Sequence, residues 1–264
     1  MLLIIGKESL IGSTLSQIAE EKHISWVGTS RRPGEQWFVD LSMPSASWQI
    51  PPQATTAIIC AARTKLSDCE ANPDESRAIN VTATVELARS LTAQECRVVF
   101  LSTNQVFSTN LKAPPDEWTP VSPANEYGRQ KAEAEAAILA LSPKNIVIRL
   151  TKVVSLNDGI FSGWKKKLFV GETIEAYENL YCSPIPLQKV SEKILEIALN
   201  DQGGVFHVCS KEAFSYYELG QIFASLLKID SSLIKKAKTH LPNNPQSGCL
   251  ASNKIPTITS SPFL

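Results

Sequence analysis

The feature that most constrains this chain is an alternation along its first 150 residues. Short apolar runs, "LLIIG" at 2–6, "ISWVGTS" at 24–30, "AIICAA" at 57–62, "RVVFLST" at 97–103 and "NIVIRL" at 145–150, take turns with helix-like segments. The helical pattern falls on Ser9–Glu21, Pro73–Leu91 and Asn125–Leu141. Runs too apolar to keep one face wet, separated by amphipathic helices, predict an α/β fold built on a doubly wound parallel sheet. Ligands of such sheets sit beyond the carboxyl ends of the strands, so the residues just after each strand are the informative ones.

After Leu150 the pattern loosens. "WKKKLFVGETIEAYENLYCSPIP" reads as irregular, "LQKVSEKILEIAL" as a helix, "GVFHVCS" as a strand and "SYYELGQIFASLL" as a helix. The tail, "THLPNNPQSGCLASNKIPTITSSPFL", is rich in proline and reads as mostly loop. The division expected is a sheet domain over 1–150 and a smaller region over 151–264, with some segments of the second returning to the sheet. The Lys165–Lys167 run reads as a solvated face, and His207 as a half-buried strand histidine.

Bulk properties exclude several classes. The 26 Lys and Arg balance 26 Asp and Glu, so no global basic field favours nucleic acid. No apolar run reaches the roughly 18–20 residues that span a bilayer. The apolar N-terminus lacks a basic leader and suits a buried first strand better than a signal peptide. Six cysteines without a CxxC pair, alongside three histidines, argue against a zinc site and for reduced thiols in a cytoplasmic protein.

Chemistry begins at "GKESLIG". Gly6 lets the chain turn out of the first strand, Gly12 lets helix and strand pack closely, and Leu10 and Ile11 lie in the first helical turn, whose N–H groups can meet an anion. Ser9 stands midway, where a side chain costs about 1–2 kcal/mol if the backbone needs positive φ. Its hydroxyl offers a phosphate oxygen a donor in return. The second strand then ends in "TSRRPG", where a site for the unphosphorylated dinucleotide usually has an acid. Ser30, Arg31 and Arg32 stand there instead, and guanidinium forks suit a 2′-phosphate.

The sharpest signal is "STNQVF" at a strand end followed by "YGRQK" at a helix start. Tyr127 and Lys131 are spaced i, i+4 and share one helical face. At about 4 Å and an effective dielectric of about 20, an ammonium attracts a phenolate by about 4 kcal/mol, enough to bring a phenol from about 10 toward neutrality. Thr103 adds a hydroxyl that can orient a substrate oxygen.

With these residues in view, the chain resembles an extended short-chain dehydrogenase/reductase, and within that superfamily it is most similar to the dTDP-4-dehydrorhamnose reductases. The likeness runs through "GKESLIG", "CAARTKLSDCEANPDESRAINVTATVELA", "STNQVF", "SPANEYGRQKAEAE", "IRLTKVVS" and "PNNPQSGCLASNKI". It implies a Rossmann domain that binds NADP, with Thr103, Tyr127 and Lys131 as the catalytic triad. Asp40 and Leu41 match the pair beside the adenine, Cys60, Ala61 and Ala62 the small residues along the cofactor, and Asn80 a supporting helix asparagine. Ser102 falls on the cofactor side. Thr64, Asn104, Gln105 and Lys152 fall on the substrate side. Three positions depart from the family: Ser9 replaces a glycine, Cys60 stands where asparagine is frequent, and Lys152 stands where the rhamnose-type reductases carry an aromatic residue.

The activity implied is NADPH-dependent reduction of a nucleotide-linked 4-keto sugar, with Tyr127 as general acid, no metal, and a possible homodimer. Sister reactions compete. Dehydration needs an ionisable pair directly after the threonine, and Asn104 and Gln105 are amides. An epimerase needs only the triad and a tightly held dinucleotide. A non-catalytic NADP-binding subunit resembling that of methionine adenosyltransferase also stays open, although it has no chemical need for an intact triad.

Overall fold

The computed structural model describes residues 1–108, 111–157, 159–240, 248–259 and 261–263. The elements run in chain order as follows. The first half holds β1 (Leu2–Ile5), α1 (Leu10–Glu21), β2 (Trp26–Gly28), β3 (Thr56–Ile59), α2 (Leu66–Ala71), α3 (Pro73–Arg77), α4 (Thr84–Ala93), β4 (Arg97–Thr103), α5 (Glu126–Leu141) and β5 (Ile146–Leu150). Then come β6 (Lys152–Val154), α6 (Gly159–Phe169), β7 (Ile174–Tyr177), β8 (Tyr181–Cys182), β9 (Pro184–Pro186), α7 (Leu187–Leu199), β10 (Gly204–Val208), β11 (Phe214–Ser215), α8 (Tyr216–Leu226) and β12 (Ile234–Ala237).

The chain divides into two compact units. Unit 1 comprises residues 1–107, 121–149 and 191–206; unit 2 comprises 108–120, 150–190 and 207–264. A six-stranded parallel sheet is ordered β10-β5-β4-β3-β1-β2. The order reverses between β1 and β3, the switch point beyond which ligands of such sheets bind. Every residue of β1 and β3 is buried, as central parallel strands covered on both faces require. Leu3 and Ile5 of β1 share one core with Leu87, Leu91, Val98, Phe100, Ile138 and Val147.

The expected helix over Pro73–Leu91 is present with one irregularity. Between α3 and α4, residues Ala78–Ala83 form a π-helical turn that carries Asn80. Such wide turns recur at functional sites because they reorient a side chain without ending the helix.

Unit 2 is built from short pairs: β6 with β9 and β7 with β12 in parallel, β8 with β11 antiparallel. The stretch from Trp164 that reads as irregular instead holds the second half of the helix α6 and the strands β7, β8 and β9. Phe161, Trp164 and Leu168 are all buried in α6 at i, i+3 and i+7, a helical stripe that Gly159, Gly163 and three successive lysines mask in the sequence. Of those lysines, Lys166 and Lys167 are exposed and Lys165 is half-buried. Ser215 and Glu218 close a reciprocal capping box at the start of α8. The prolines at 242 and 245 lie outside the described residues; among the described tail residues, 248–259 hold only an isolated bridge between Ile258 and Ser210. His207 is fully buried rather than half-buried, its Nδ1 2.8 Å from the Ala251 carbonyl.

Candidate active site

The cradle resolves the question of Ser9. Its φ of −69° and ψ of 161° are ordinary extended backbone, so no positive φ is asked of it. The side chain caps α1: the Gly12 amide donates to Ser9 Oγ at 3.1 Å. The positive φ, +82°, belongs to Gly6, and a Cβ there would lie 3.3 Å from Ala61 Cβ, just past the end of β3. At Gly12 a Cβ would come within 2.3 Å of the Gly6 carbonyl oxygen, so that position requires glycine. The first turn of α1 therefore opens at the switch point between β1 and β3, with Leu10 and Ile11 in it, the geometry that receives a pyrophosphate. These residues fit the dinucleotide.

Beyond β2 the chain turns through Ser30, which is fully buried and whose Oγ accepts from the Arg32 amide at 3.0 Å. Arg31 and Arg32 are both exposed. Lys7, next to Gly6, lies along Gly28 and reaches Glu35 at 2.9 Å. A third cation thus stands at this strand end, and its place directly after the first glycine was the signal for it. Asp40 spends its carboxylate locally: Oδ1 accepts from the amide and the hydroxyl of Ser42, an Asx turn, while Leu41 is buried.

After β3, Cys60 and Ala61 are half-buried and Ala62 and Thr64 are exposed. Burial pushes the Cys60 thiol up to about 12, so it stays protonated and unreactive. Asn80 holds this segment, accepting from the Arg63 amide at 2.8 Å and donating to its carbonyl at 2.9 Å. The same amide nitrogen donates to Gln130 Oε1 on α5, and Gln130 Nε2 donates in turn to Ser76 Oγ and Glu126 Oε1. A buried amide thereby ties the loop after β3 to the helix that carries Tyr127 and Lys131.

Thr103 ends β4, and its Oγ1 accepts from the Gln105 amide and donates to Asn104 Oδ1 at 3.3 Å. Three contacts clamp the start of α5 onto this turn. Asn125 caps α5 by accepting from the Gly128 amide and donates to Gln105 Oε1 at 2.8 Å. The Ser122 amide donates to the Val106 carbonyl. Gly128 sits so close that a Cβ would meet the Gln105 carbonyl oxygen at 2.1 Å. Gln105 is thus a structural clasp through both its side chain and its carbonyl, which leaves its amide side chain little freedom for substrate.

Tyr127 and Lys131 are buried on one face of α5. The Lys131 Nζ lies 3.7 Å from the centroid of the Phe100 ring. Burial pushes Lys131 down to about 7, with Glu135 acting in the opposite sense. Burial also drives the Tyr127 phenol well above its ordinary value, and the charge of Cys69 adds to that. The expectation that the lysine lowers the phenol is therefore corrected: burial raises the phenol, which stays protonated, and lowers the lysine.

Ser102 departs from a cofactor-facing placement of its side chain, since its hydroxyl donates to the buried Glu135 carboxylate. Glu135 also receives Arg149 Nε at 3.1 Å and Nη2 at 2.8 Å. The sequence reading missed this pair, although both signals were present: Glu135 is i+4 from Lys131, and Arg149 is a charge inside the apolar run "IVIRL". Lys152 is exposed on β6 of unit 2, where its amide donates to the Ser183 carbonyl. Among the described residues no group of three His, Cys, Asp or Glu could hold a metal, and no helix is long and apolar enough to cross a membrane.

Comparison with known proteins agrees with this geometry. The model of the RmlD substrate binding domain matches residues 1–257. The probable low-salt glycan biosynthesis reductase Agl14 of Haloferax volcanii is 28% identical over 248 residues, 89% of this chain and 82% of that protein. The dTDP-4-dehydrorhamnose reductase of Mycobacterium tuberculosis is 28% identical over 224 residues, 82% of this chain and 72% of that one. A crystal structure of dTDP-4-dehydrorhamnose reductase from Bacillus anthracis in complex with NADP aligns with a TM-score of 0.82 at 20% identity, covering 96% of this chain and 89% of that one. With a family match running nearly end to end, the chain belongs to the RmlD substrate binding domain family, a dTDP-4-dehydrorhamnose reductase-like branch of the extended short-chain dehydrogenases/reductases.

Proposed function

We propose that the chain is an NADPH-dependent reductase of a nucleotide-linked 4-keto sugar. The observation that carries this reading is the clamp between the start of α5, which bears Tyr127 and Lys131, and the turn after β4 that follows Thr103, in the unit that also holds the Gly6–Gly12 turn. The names of the relatives support the reaction class. Gly6, Ser9, Leu10, Ile11 and Gly12 would hold the pyrophosphate, and Arg31 and Arg32, with Lys7 beside them, would meet the 2′-phosphate. When bound, NADPH supplies the hydride.

The chain's own residues do the rest. Thr103 hydrogen-bonds the ketone oxygen and orients it. Tyr127, kept protonated by its burial, gives that oxygen its proton as the alkoxide develops, a contribution of about 10²–10⁴-fold. Lys131 supplies positive charge beside the phenol, so the phenolate left behind is stabilised after transfer. Asn104 would face the sugar, and Lys152 in place of an aromatic surface would favour a sugar with a polar or anionic substituent. Six free thiols suit a reducing compartment such as the cytoplasm.

The test is to screen nucleotide-linked 4-keto-6-deoxy sugars for NADPH oxidation. Turnover with at least one, faster with NADPH than with NADH, is expected. No oxidation with any, together with no NADPH binding at millimolar concentration, would overturn the proposal.

A further inference from the structure

β4 stays in register with β3 as far as Ile59 and Phe100, so Leu101, Ser102 and Thr103 run on past that neighbour. The chain then makes one short 3-10 turn, Asn104–Val106, and the Gln105 amide donates to Thr103 Oγ1 at 3.2 Å. On its β3 side this strand end has no ladder to fix it. The clamp of Asn125 on Gln105, with Gly128 against the Gln105 carbonyl, holds the turn to the start of α5. A single point of attachment still lets helix and turn pivot about it.

A second attachment lies two turns further along α5. Tyr127, Lys131 and Glu135 follow one another at i, i+4 and i+8 and are all buried, so they lie along one stripe of the helix. The hydroxyl of Ser102, the residue before Thr103, donates to Glu135 Oε1. Arg149 of β5 fixes the same carboxylate: its Nε reaches Oε1 and Oε2 at 3.1 Å each, and its Nη2 reaches Oε2 at 2.8 Å. A planar fork of this kind sets the rotation of the carboxylate as well as its place. The guanidinium carbon of Arg149 also lies 5.0 Å from the ring centroid of Phe107, the residue that follows the 3-10 turn. The pair thus grips both flanks of the Thr103 turn, at 102 and at 107.

Glu135 is 3% exposed and Arg149 5%. A buried ion pair is often no more stabilising than well-packed apolar side chains of the same volume, so stability alone does not account for one here. What it adds is direction. We infer that the Glu135–Arg149 pair is the second fixing point that sets the Tyr127–Lys131 stripe of α5 against Thr103, acting through Ser102 and Phe107. All four are positioning residues. The inference rests on the reductase reading for its effect on turnover, and on contacts within the chain for its effect on the turn.

Ser102→Ala isolates the claim, because it removes one link and strands no buried group: Glu135 Oε1 keeps Arg149 Nε, and the pair stays whole. Amide exchange in the unliganded full chain, read by NMR, should be faster at Gln105 by about tenfold or more. Amides of β1, β3 and β5 should exchange as in the wild type. Phe107→Leu should speed the Gln105 amide by about two- to fivefold. In turnover, Ser102→Ala should lower kcat by about 10–100-fold while NADPH affinity stays within about threefold. A pair that merely braces the fold would leave Gln105 exchange and kcat at wild-type values in Ser102→Ala, and that result overturns the inference. Loosening spread evenly over β1, β3 and β5, or a looser turn with kcat unchanged, overturns it as well. Should the turn loosen as stated while the wild type reduces no sugar, the reductase reading fails and the fixing point stands.

Discussion

In unit 1 Asn80, Gln130, Glu135 and Arg149 are buried and hydrogen-bonded to one another's surroundings, whereas unit 2 packs Phe161, Trp164, Phe223 and Phe263 ring against ring. The contrast reflects what each has to hold. Unit 1 must fix strand-end loops that have no regular backbone partners, and directional hydrogen bonds do that: Asn80 pairs both backbone groups of Arg63. Unit 2 has two- to four-residue strands whose ladders are too short to stabilise it, so large aromatic surfaces supply the burial. Buried polar groups specify where loops sit; buried rings hold short elements together.

The largest effect that sharpens this contrast is on stability in unit 2. Phe223→Ala, which removes a fully buried ring touching three others, should cost about 3–5 kcal/mol in denaturant unfolding. Hydrogen exchange should show lost protection in α6 and α8 with β1, β3 and β4 retained; equal loss in both units would erase the distinction.

A second effect of a few kcal/mol tests the buried lysine. An unfolded lysine titrates near 10.5 and the folded Lys131 near 7, so between those values the unfolded chain binds more protons. Stability should therefore climb as pH rises from about 7 to about 10.5 and level off at its lower value below about 7, where both states hold the proton. Lys131→Met should flatten that slope and stabilise the protein at neutral pH, as chemical denaturation at several pH values would reveal. An unaltered slope would mean the ammonium is not buried in solution.

Smaller effects probe the hydrogen-bonded loops. Asn80→Ala leaves the Arg63 amide and the Gln130 side chain short of a partner, for about 1–3 kcal/mol, and should weaken NADPH binding through the displaced loop. Ser9→Ala should cost about 1 kcal/mol of helix capping and Ser9→Gly only a few tenths, both read from thermal unfolding. A larger loss from Ser9→Gly than from Ser9→Ala would contradict the capping role.

How much of this was legible follows the same divide. The run "RVVFLST" gives β4 to the residue, and Ser9, Asn125 and Ser215 mark three helix starts because caps are local chemistry. The spacing of Tyr127 and Lys131 is also local. What the spacing could not tell was burial, and burial reverses the expected direction for the tyrosine. The Asn80–Gln130 tie spans fifty residues of sequence, and no window along the chain contains both ends. The helix α6 was hidden for another reason: its apolar stripe is three residues wide and interrupted by lysines, so only packing reveals its period.

The most direct test of the account is Tyr127→Phe, which removes one oxygen and little else. NADPH affinity by fluorescence titration should stay within about threefold of the wild type, while kcat for the best 4-keto nucleotide sugar falls by about 10²–10⁴-fold. Turnover that survives the substitution unchanged would contradict the assignment of the buried phenol as the proton donor.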